Sequence, residues 1–346
     1  MMEKTETDHV KTVTNIVMIG ASAGGLNTFC ELVANLEADR STAYIFVPHL
    51  SSEQSGEYLV HRISRCTSIP CSLAEDGKLL AGGEIIIAIP DYHVLVKPGL
   101  ISLSHGATEN GWRPAIDVAF RSAAVGYREK TTGIILSGLL RDGTSGMAAI
   151  QAWGGATIVQ SPDEAEYRDM PQSVLDALRV DRVLPVREIG RALADLRQEP
   201  RERLPIPEGV FQEARLSEKN ATTVEDVKKL GMQSDLTCPD CGGILWEIRD
   251  GGIERYRCYT GHSFTMPDLD EHQNGKLELA LWSSLRMMEE KKNLLMKMKA
   301  QESRRKGQVF STGTLDMRLG ELEQHMAQLR TVLKLNPEDG HSGTGG

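Results

Sequence analysis

Between residues 15 and 197 short apolar runs alternate with amphipathic stretches. The pattern predicts strands at 15–19, 43–48, 84–89, 132–137, 156–160 and 182–186, and helices near 25–36, 54–65, 115–127, 145–153, 171–178 and 187–197. Runs such as Asn15-Ile16-Val17-Met18-Ile19 are apolar throughout rather than alternating, as strands covered on both faces require. The fold class this predicts is α/β, a doubly wound, mainly parallel, Rossmann-like sheet. One stretch departs from the alternation: in His93–Leu103 a Pro98-Gly99 turn separates two short apolar runs, which predicts a β-hairpin added at one edge of the sheet.

The second half reads differently. From 198 to 236 the chain is polar and irregular, a linker with a helix around Val224–Leu230. A compact cysteine and histidine module follows at 237–270. Helices are then predicted at Leu277–Gln301 and Leu315–Leu335, separated by Gly307–Gly313. Leu315, Leu319, Leu322, Met326, Leu329 and Leu333 are spaced alternately four and three apart, a coiled-coil-like seam. A looser stripe, Leu281, Leu285, Met288, Leu295 and Met298, lies on the preceding helix, so residues 276–335 are expected to form an antiparallel helical hairpin. The polar start, 1–14, and the glycine-rich tail, 336–346, are expected to be disordered.

Composition narrows the function classes. With 40% hydrophobic and 25% charged residues the 346-residue chain is ordinary for a soluble protein, and its formal net charge of −9 argues against nucleic acid as a partner. Met1–Lys11 is too polar for a signal peptide, and no apolar run approaches the roughly 20 residues that cross a bilayer. A cytoplasmic location without membrane insertion is expected. Cys30, Cys66 and Cys71 are scattered and read as packing, whereas Cys238, Cys241 and Cys258 cluster.

Three candidate residues follow three predicted strands. Ser22 lies in Gly20-Ala21-Ser22-Ala23-Gly24-Gly25, His49 ends Tyr44-Ile45-Phe46-Val47-Pro48, and Asp142 follows Thr132–Gly138 by a short loop. In a parallel sheet, residues just past the strand ends gather on one edge, where open α/β folds place their sites. A hydroxyl, an imidazole and a carboxylate there are the parts of an acyl-transfer triad. Gly20-Ala21-Ser22-Ala23-Gly24 also fits the G-x-S-x-G nucleophile elbow. A dinucleotide loop is disfavoured, because Ser22 replaces the glycine that lets a pyrophosphate approach. Taken singly, each residue has a plainer reading: Ser22 as a helix cap, His49 as a hydrogen-bonded structural histidine, Asp142 as turn chemistry.

Around these residues the chain resembles the catalytic domain of the chemotaxis receptor methylesterases, the CheB family. The resemblance runs from about Ile16 to Val186. It rests on Ile19–Gly25, His49, Glu75-Asp76-Gly77, Pro90-Asp91-Tyr92-His93, Arg113-Pro114-Ala115-Ile116-Asp117, the Ser-Gly-x-x-x-Asp-Gly loop at 137–143 and Met170-Pro171. It implies a serine esterase that hydrolyses glutamate γ-methyl esters on chemoreceptors, with glutamine deamidation as a further activity of some members. Ser22 would be the nucleophile, His49 the general base and acid, and Asp142 the residue orienting His49. Backbone groups at Ala23 and Leu139 would bind the oxyanion, with Arg113 as a further substrate contact. No catalytic cofactor is implied. The partners would be a methylated receptor and a cognate receptor methyltransferase, and the C-terminal helices offer a homodimer seam. The alternative is a non-catalytic signalling adaptor that keeps the fold.

Departures from the family pattern are also visible. Ala23 stands where threonine is common, and Leu139-Leu140-Arg141 replaces methionine, glycine and a small polar residue. Arg141 either favours an acidic substrate surface or points to solvent. Familiar members carry an N-terminal receiver domain that gates the site; only Met1–Thr14 precede the first strand, so that gate is expected to be absent.

Cys238-Pro239-Asp240-Cys241-Gly242-Gly243 has knuckle spacing, and Cys258 with His262 supplies a second pair. Four nitrogen and sulfur ligands with no open position predict a structural zinc in a zinc-ribbon-like module. Strands at Ile244–Ile248 and Ile253–Tyr256 would flank Asp250-Gly251-Gly252, and His272 is a weaker fourth ligand. Ribbon and hairpin together are expected to be a docking or regulatory unit in place of the receiver.

Overall fold

The computed structural model describes residues 13–49, 56–204, 208–219, 222–249, 253–304 and 312–334. The expected disorder at both termini, the Gly307–Gly313 break and the Asp250–Gly252 turn fall partly or wholly outside them. The chain forms two compact units, Met1–Leu269 and Asp270–Gly346.

In the first unit the strands β1 (Asn15–Ala21), β2 (Thr42–Pro48), β3 (Cys71–Leu73) and β4 (Ile85–Ile87) come early. The separate pair β5 (His93–Lys97) and β6 (Leu100–Ser104) follows, and then β7 (Thr131–Ile135), β8 (Ala156–Gln160) and β9 (Arg182–Leu184). Seven of these build one sheet in the order β3-β4-β2-β1-β7-β8-β9, and every pairing is parallel. The order reverses between β1 and β7, whose registers align Ile16 with Thr131 and Gly20 with Ile135. That junction is the topological switch point, where the chain ends leaving the two strands diverge and open a crevice.

Alternate side chains of β1 enter opposite cores. Ile16 and Met18 pack with Phe120, Met147, Ile150 and Trp153 beneath α3 (Ile116–Tyr127) and α4 (Thr144–Ala152). Val17 and Ile19 pack with Phe29, Leu32, Leu59, Ile63, Ile189 and Leu193 beneath α1 (Gly25–Ala34), α2 (Gly56–Ser64) and α6 (Val186–Gln198). α5 (Asp169–Ala177) adds Met170 and Val174 to the first core. Residues buried on both sheet faces explain why these strands read as continuous apolar runs.

The β5–β6 hairpin forms where the Pro98-Gly99 turn requires it, but it does not extend the sheet. It stands as its own antiparallel pair against α3, with Leu95 packed on Ala115 and Val118, and the Val96 N–H donating to Ser122 Oγ at 2.9 Å. Its apolar side chains are satisfied by a helix face, so it has no need of a strand neighbour.

The polar segment after α6 carries α7 (Glu208–Ser217), α8 (Val224–Lys228) and β10 (Met232–Thr237). Thr223 caps α8 in a reciprocal capping box with Asp226. β10 then joins β11 (Ile244–Ile248), β12 (Arg255–Cys258) and β13 (Ser263–Thr265) in a four-stranded antiparallel sheet ordered β10-β11-β12-β13. Helix α9 spans Met266–Arg304, and α10 spans Thr312–Lys334.

Within the second unit α9 and α10 run antiparallel, since Lys292 pairs with Glu323 at 2.7 Å and Glu289 with Arg330 at 2.6 Å. The six seam positions of α10 are its buried or half-buried ones, Leu315 and Met326 most of all. On α9, Leu281, Leu285, Met288 and Leu295 match the expected stripe, and Met298 is exposed. No helix among the described residues is long and apolar enough to cross a membrane.

Candidate active site

β1 delivers Ser22 directly past its last residue. The Ser22 N–H donates to Ser137 O at 3.0 Å, tying this turn to the chain leaving β7, and the Gly25 N–H closes the turn on Ser22 O at 2.9 Å. Gly24 takes a left-handed φ of 69°, which a side chain resists. Gly138 is needed for space: a Cβ there would lie 2.8 Å from Ser22 Cβ and 2.1 Å from Met170 Sδ. β2 delivers His49, whose N–H donates to Ala21 O at 3.0 Å. The loop after β7 carries Asp142, between Leu140 at φ 64° and Gly143 at φ 101°.

The three predicted residues are brought into one hydrogen-bonded line. His49 Nδ1 lies 3.2 Å from Ser22 Oγ, and His49 Nε2 lies 2.7 Å from Asp142 Oδ2. The His49 and Asp142 side chains are 2% and 1% exposed, so water does not compete for their contact. Asp142 sits over the N-terminus of α3. Its Oδ2 also accepts from the Ile116 N–H at 2.6 Å, and its Oδ1 accepts from Asp117 N, Gly143 N and Asn110 Nδ2, each at 3.1 Å. Burial by itself would raise the pKa of Asp142. The hydrogen bond and charge of His49, with the Ile116 and Asp117 N–H groups, outweigh it and hold the carboxyl below its ordinary value. Asp117, fully buried beside it, is pushed the other way by burial and by the Asp142 and Glu109 charges. Asp117 Oδ1 accepts from the N–H groups of Gly143 at 3.0 Å and Gly146 at 2.6 Å, and so shapes the loop that holds Asp142.

With Asp142 ionised, the proton of a neutral imidazole belongs on Nε2, facing the carboxylate. Nδ1 then offers a lone pair to the Ser22 hydroxyl. The arrangement can deprotonate Ser22 during attack on a carbonyl and return that proton to a leaving group. Among the described residues no acceptor engages the N–H of Ala23 or Leu139. Leu139 is 44% exposed and Arg141 is exposed as well. Arg113 is occupied elsewhere: Nε and Nη2 donate to Asp91 Oδ1 at 3.0 and 2.5 Å, and Nη1 donates to Gly106 O at 2.9 Å.

A profile of the family described as CheB methylesterase matches residues 17–193, just over half the chain. The chain belongs to the CheB methylesterase family. A crystal structure of the Thermotoga maritima CheB methylesterase catalytic domain is similar at 30% identity and a TM-score of 0.50, covering 53% of this chain and 98% of that one. A Leptospira interrogans protein, provisionally named protein-glutamate methylesterase/protein-glutamine glutaminase, is 33% identical over 183 residues, 53% of this chain and 94% of its own. Proteins of that name from Halobacterium salinarum and Symbiobacterium thermophilum are 31% and 32% identical, and the chain spans only 53% and 49% of their lengths. The family match stops at residue 193, so it covers the main sheet and leaves the cysteine module and helical hairpin outside.

Sequence reasoning overlooked two residues of this CheB-type site. The Trp112 ring stacks on the His49 imidazole, with centroids 4.0 Å apart and planes 9° from parallel. Asn110, 4% exposed, bridges Asp142 and Asp117 through Nδ2. Both stand just before Arg113-Pro114-Ala115-Ile116-Asp117, and that adjacency was the one signal available.

The second predicted cluster also assembles. The ligand atoms of Cys238, Cys241, Cys258 and His262 all lie within 4.8 Å of one another and could hold a metal ion. Cys238 Sγ and Cys258 Sγ are each 3.6 Å from His262 Nδ1, and Cys241 Sγ is 3.6 Å from Cys258 Sγ.

Proposed function

We propose that the chain hydrolyses glutamate γ-methyl esters on a chemoreceptor-type signalling protein, with Ser22 as nucleophile, His49 as general base and acid, and Asp142 orienting His49. The observation that carries this reading is the continuous line from Ser22 Oγ through both His49 nitrogens to a buried carboxylate. Ser22 Oγ attacks the ester carbonyl carbon while its proton passes to His49 Nδ1. The N–H groups of Ala23 and Leu139 bind the oxyanion. Collapse expels methoxide, which takes the proton from Nδ1 and leaves as methanol. Water, deprotonated by the same nitrogen, then attacks the acyl-enzyme, frees the glutamate carboxylate and restores Ser22. A primary amide in place of the ester follows the same course with ammonia leaving, which accounts for glutamine deamidation as a second activity.

The four-ligand cluster is proposed to hold zinc. Ideal tetrahedral bonds of ~2.3 Å to sulfur and ~2.0 Å to nitrogen put sulfur–sulfur edges at ~3.8 Å and sulfur–nitrogen edges at ~3.5 Å. Three of the six separations, each 3.6 Å, are close to these edges, and all six lie within 4.8 Å. Such a zinc has no open position and takes no part in the hydrolysis. The proposed location is the cytoplasm, and the proposed partners are the receptor and its methyltransferase. A second copy of the chain would meet the exposed Trp282, Met287 and Leu294 of α9.

Methanol release from a methylated receptor tests the reading. Wild type is expected to release it and Ser22→Ala to release none above background, with receptor binding retained. Binding without turnover by wild type would replace the esterase with an adaptor.

A further inference from the structure

The segment 105–113 lies between the triad and the ribbon and touches both. On the triad side it supplies Asn110 Nδ2 to Asp142 and the Trp112 ring to His49. On the ribbon side the Asn110 N–H donates to Ser263 O at 2.7 Å, and the Thr265 N–H donates to Asn110 Oδ1 at 3.3 Å. Glu109 and Ser263 form a parallel bridge. Strand β13 therefore pairs with the loop that braces the catalytic pair. Ser263 is the residue after His262, one of the four clustered ligands.

A buried ionic cluster holds the same contact. Glu109 accepts two hydrogen bonds from Arg121 Nη2 of α3 at 2.7 Å and lies 3.7 Å from Arg257 Nη1 of β12. Glu213 of α7 is 2.5 Å from Arg255, 3.8 Å from Arg257 and 3.9 Å from Arg121. All five side chains are at most 4% exposed. Asn110 has φ 52°, a left-handed backbone that asparagine tolerates better than most residues. Its surroundings include two ribbon hydrogen bonds.

We propose that Asn110 is a positioning residue of the esterase, held by the ribbon, so that metal loading of Cys238, Cys241, Cys258 and His262 sets β13, and β13 sets the Asn110–Trp112 brace against Asp142 and His49. So small a four-stranded sheet has a core of only a few side chains, Leu245, Tyr256, Phe264 and Leu269 beside two of the cysteines. Folds of that size depend on their metal. Losing it frees the Ser263 and Thr265 contacts first, and the loop with them. This inference rests on the esterase reading only for its catalytic consequence.

The test uses the full chain with zinc as the probe. Bound zinc is stripped with a chelator, or through Cys258→Ser, and quantified. Amide exchange is followed in 105–113 and in β1 and β7, and Ser22 reactivity is read as the labelling rate by a fluorophosphonate. Zinc loss is expected to speed exchange in 105–113 while β1 and β7 stay protected, and to lower labelling at least tenfold, with re-added zinc restoring both after chelation. Because a stripped ribbon can unfold more widely, Asn110→Ala is the second arm. It is expected to keep its zinc and ribbon protection, yet label about tenfold more slowly with the probe's saturation constant unchanged. Wild-type exchange in 105–113 and wild-type labelling after zinc loss would overturn the proposal, as would full reactivity of Asn110→Ala. Zinc-dependent labelling without methanol release would instead remove the esterase reading and leave this one standing.

Discussion

Replacing Asp142 by asparagine changes one atom, and the structure dictates how the new amide must sit. Both carboxylate oxygens face donors only: His49 Nε2 and Ile116 N at Oδ2, and Asn110 Nδ2, Asp117 N and Gly143 N at Oδ1. Turning the amide NH2 toward Oδ1 opposes three donors. Turning it toward His49 opposes one backbone N–H and lets the amide donate to Nε2, so the second orientation wins. It forces the imidazole proton onto Nδ1, aimed at Ser22 Oγ, and the base is lost. Wrong-tautomer substitutions of this kind lower kcat roughly 10,000-fold, about 5.4 kcal/mol of transition-state stabilisation. The orphaned Ile116 N–H costs about 1–3 kcal/mol of folding stability. The assay is methanol release at saturating methylated receptor, paired with urea unfolding. Asp142→Asn with kcat within tenfold of wild type would refute Asp142 as the orienting residue. Combining Asp142→Asn with Ser22→Ala should lower the rate no further than Ser22→Ala alone, because the residues act as a unit.

The remaining predictions concern packing, the ion cluster and pH. Gly138→Ala drives a methyl against Met170 Sδ and Ser22 Cβ, so urea unfolding should show about 1–3 kcal/mol lost to overpacking and labelling of Ser22 should slow. Glu213→Gln leaves Arg121, Arg255 and Arg257 with one carboxylate among them, and breaking a buried pair in this way should cost about 3–5 kcal/mol at pH 7. Burial would raise the Glu213 pKa, but Arg121, Arg255 and Arg257 outweigh it and hold the group below its ordinary value. Its stabilisation is therefore complete above the unfolded carboxylate range and lost as pH falls through the folded value. Urea midpoints of wild type and Glu213→Gln should be furthest apart near neutrality and converge in acid, and a gap that widens in acid would reverse the sign.

Ser22, His49 and Asp142 were legible along the chain because a parallel sheet sends every strand's C-terminal end to one edge. Apolar runs locate those ends, and the chemistry needs only residues one to seven positions beyond them. The four candidate metal ligands were legible for a similar reason, since spacing within 25 residues constrains them locally. Asn110 and Trp112 were not. Their partners lie far away in sequence, Asn110 meeting Asp142 across 32 positions and Thr265 across 155, and no local pattern encodes such a contact. Nor does polarity: Glu213 falls in the expected linker and Arg255 and Arg257 in or beside an expected strand, yet each is buried because oppositely charged partners arrive from other elements. The hairpin at 93–104 was recognisable by its turn, but whether it joined the sheet or lay on α3 depended on which apolar surface was left uncovered. Local periodicity and spacing thus located most elements of the main sheet and marked the Ser22-His49-Asp142 and cysteine–histidine candidates, but not β3, α7 or β10. Only the tertiary structure placed the ribbon on the loop that braces the triad, because that contact is made of backbone pairing and buried charge whose partners meet only once the chain is folded.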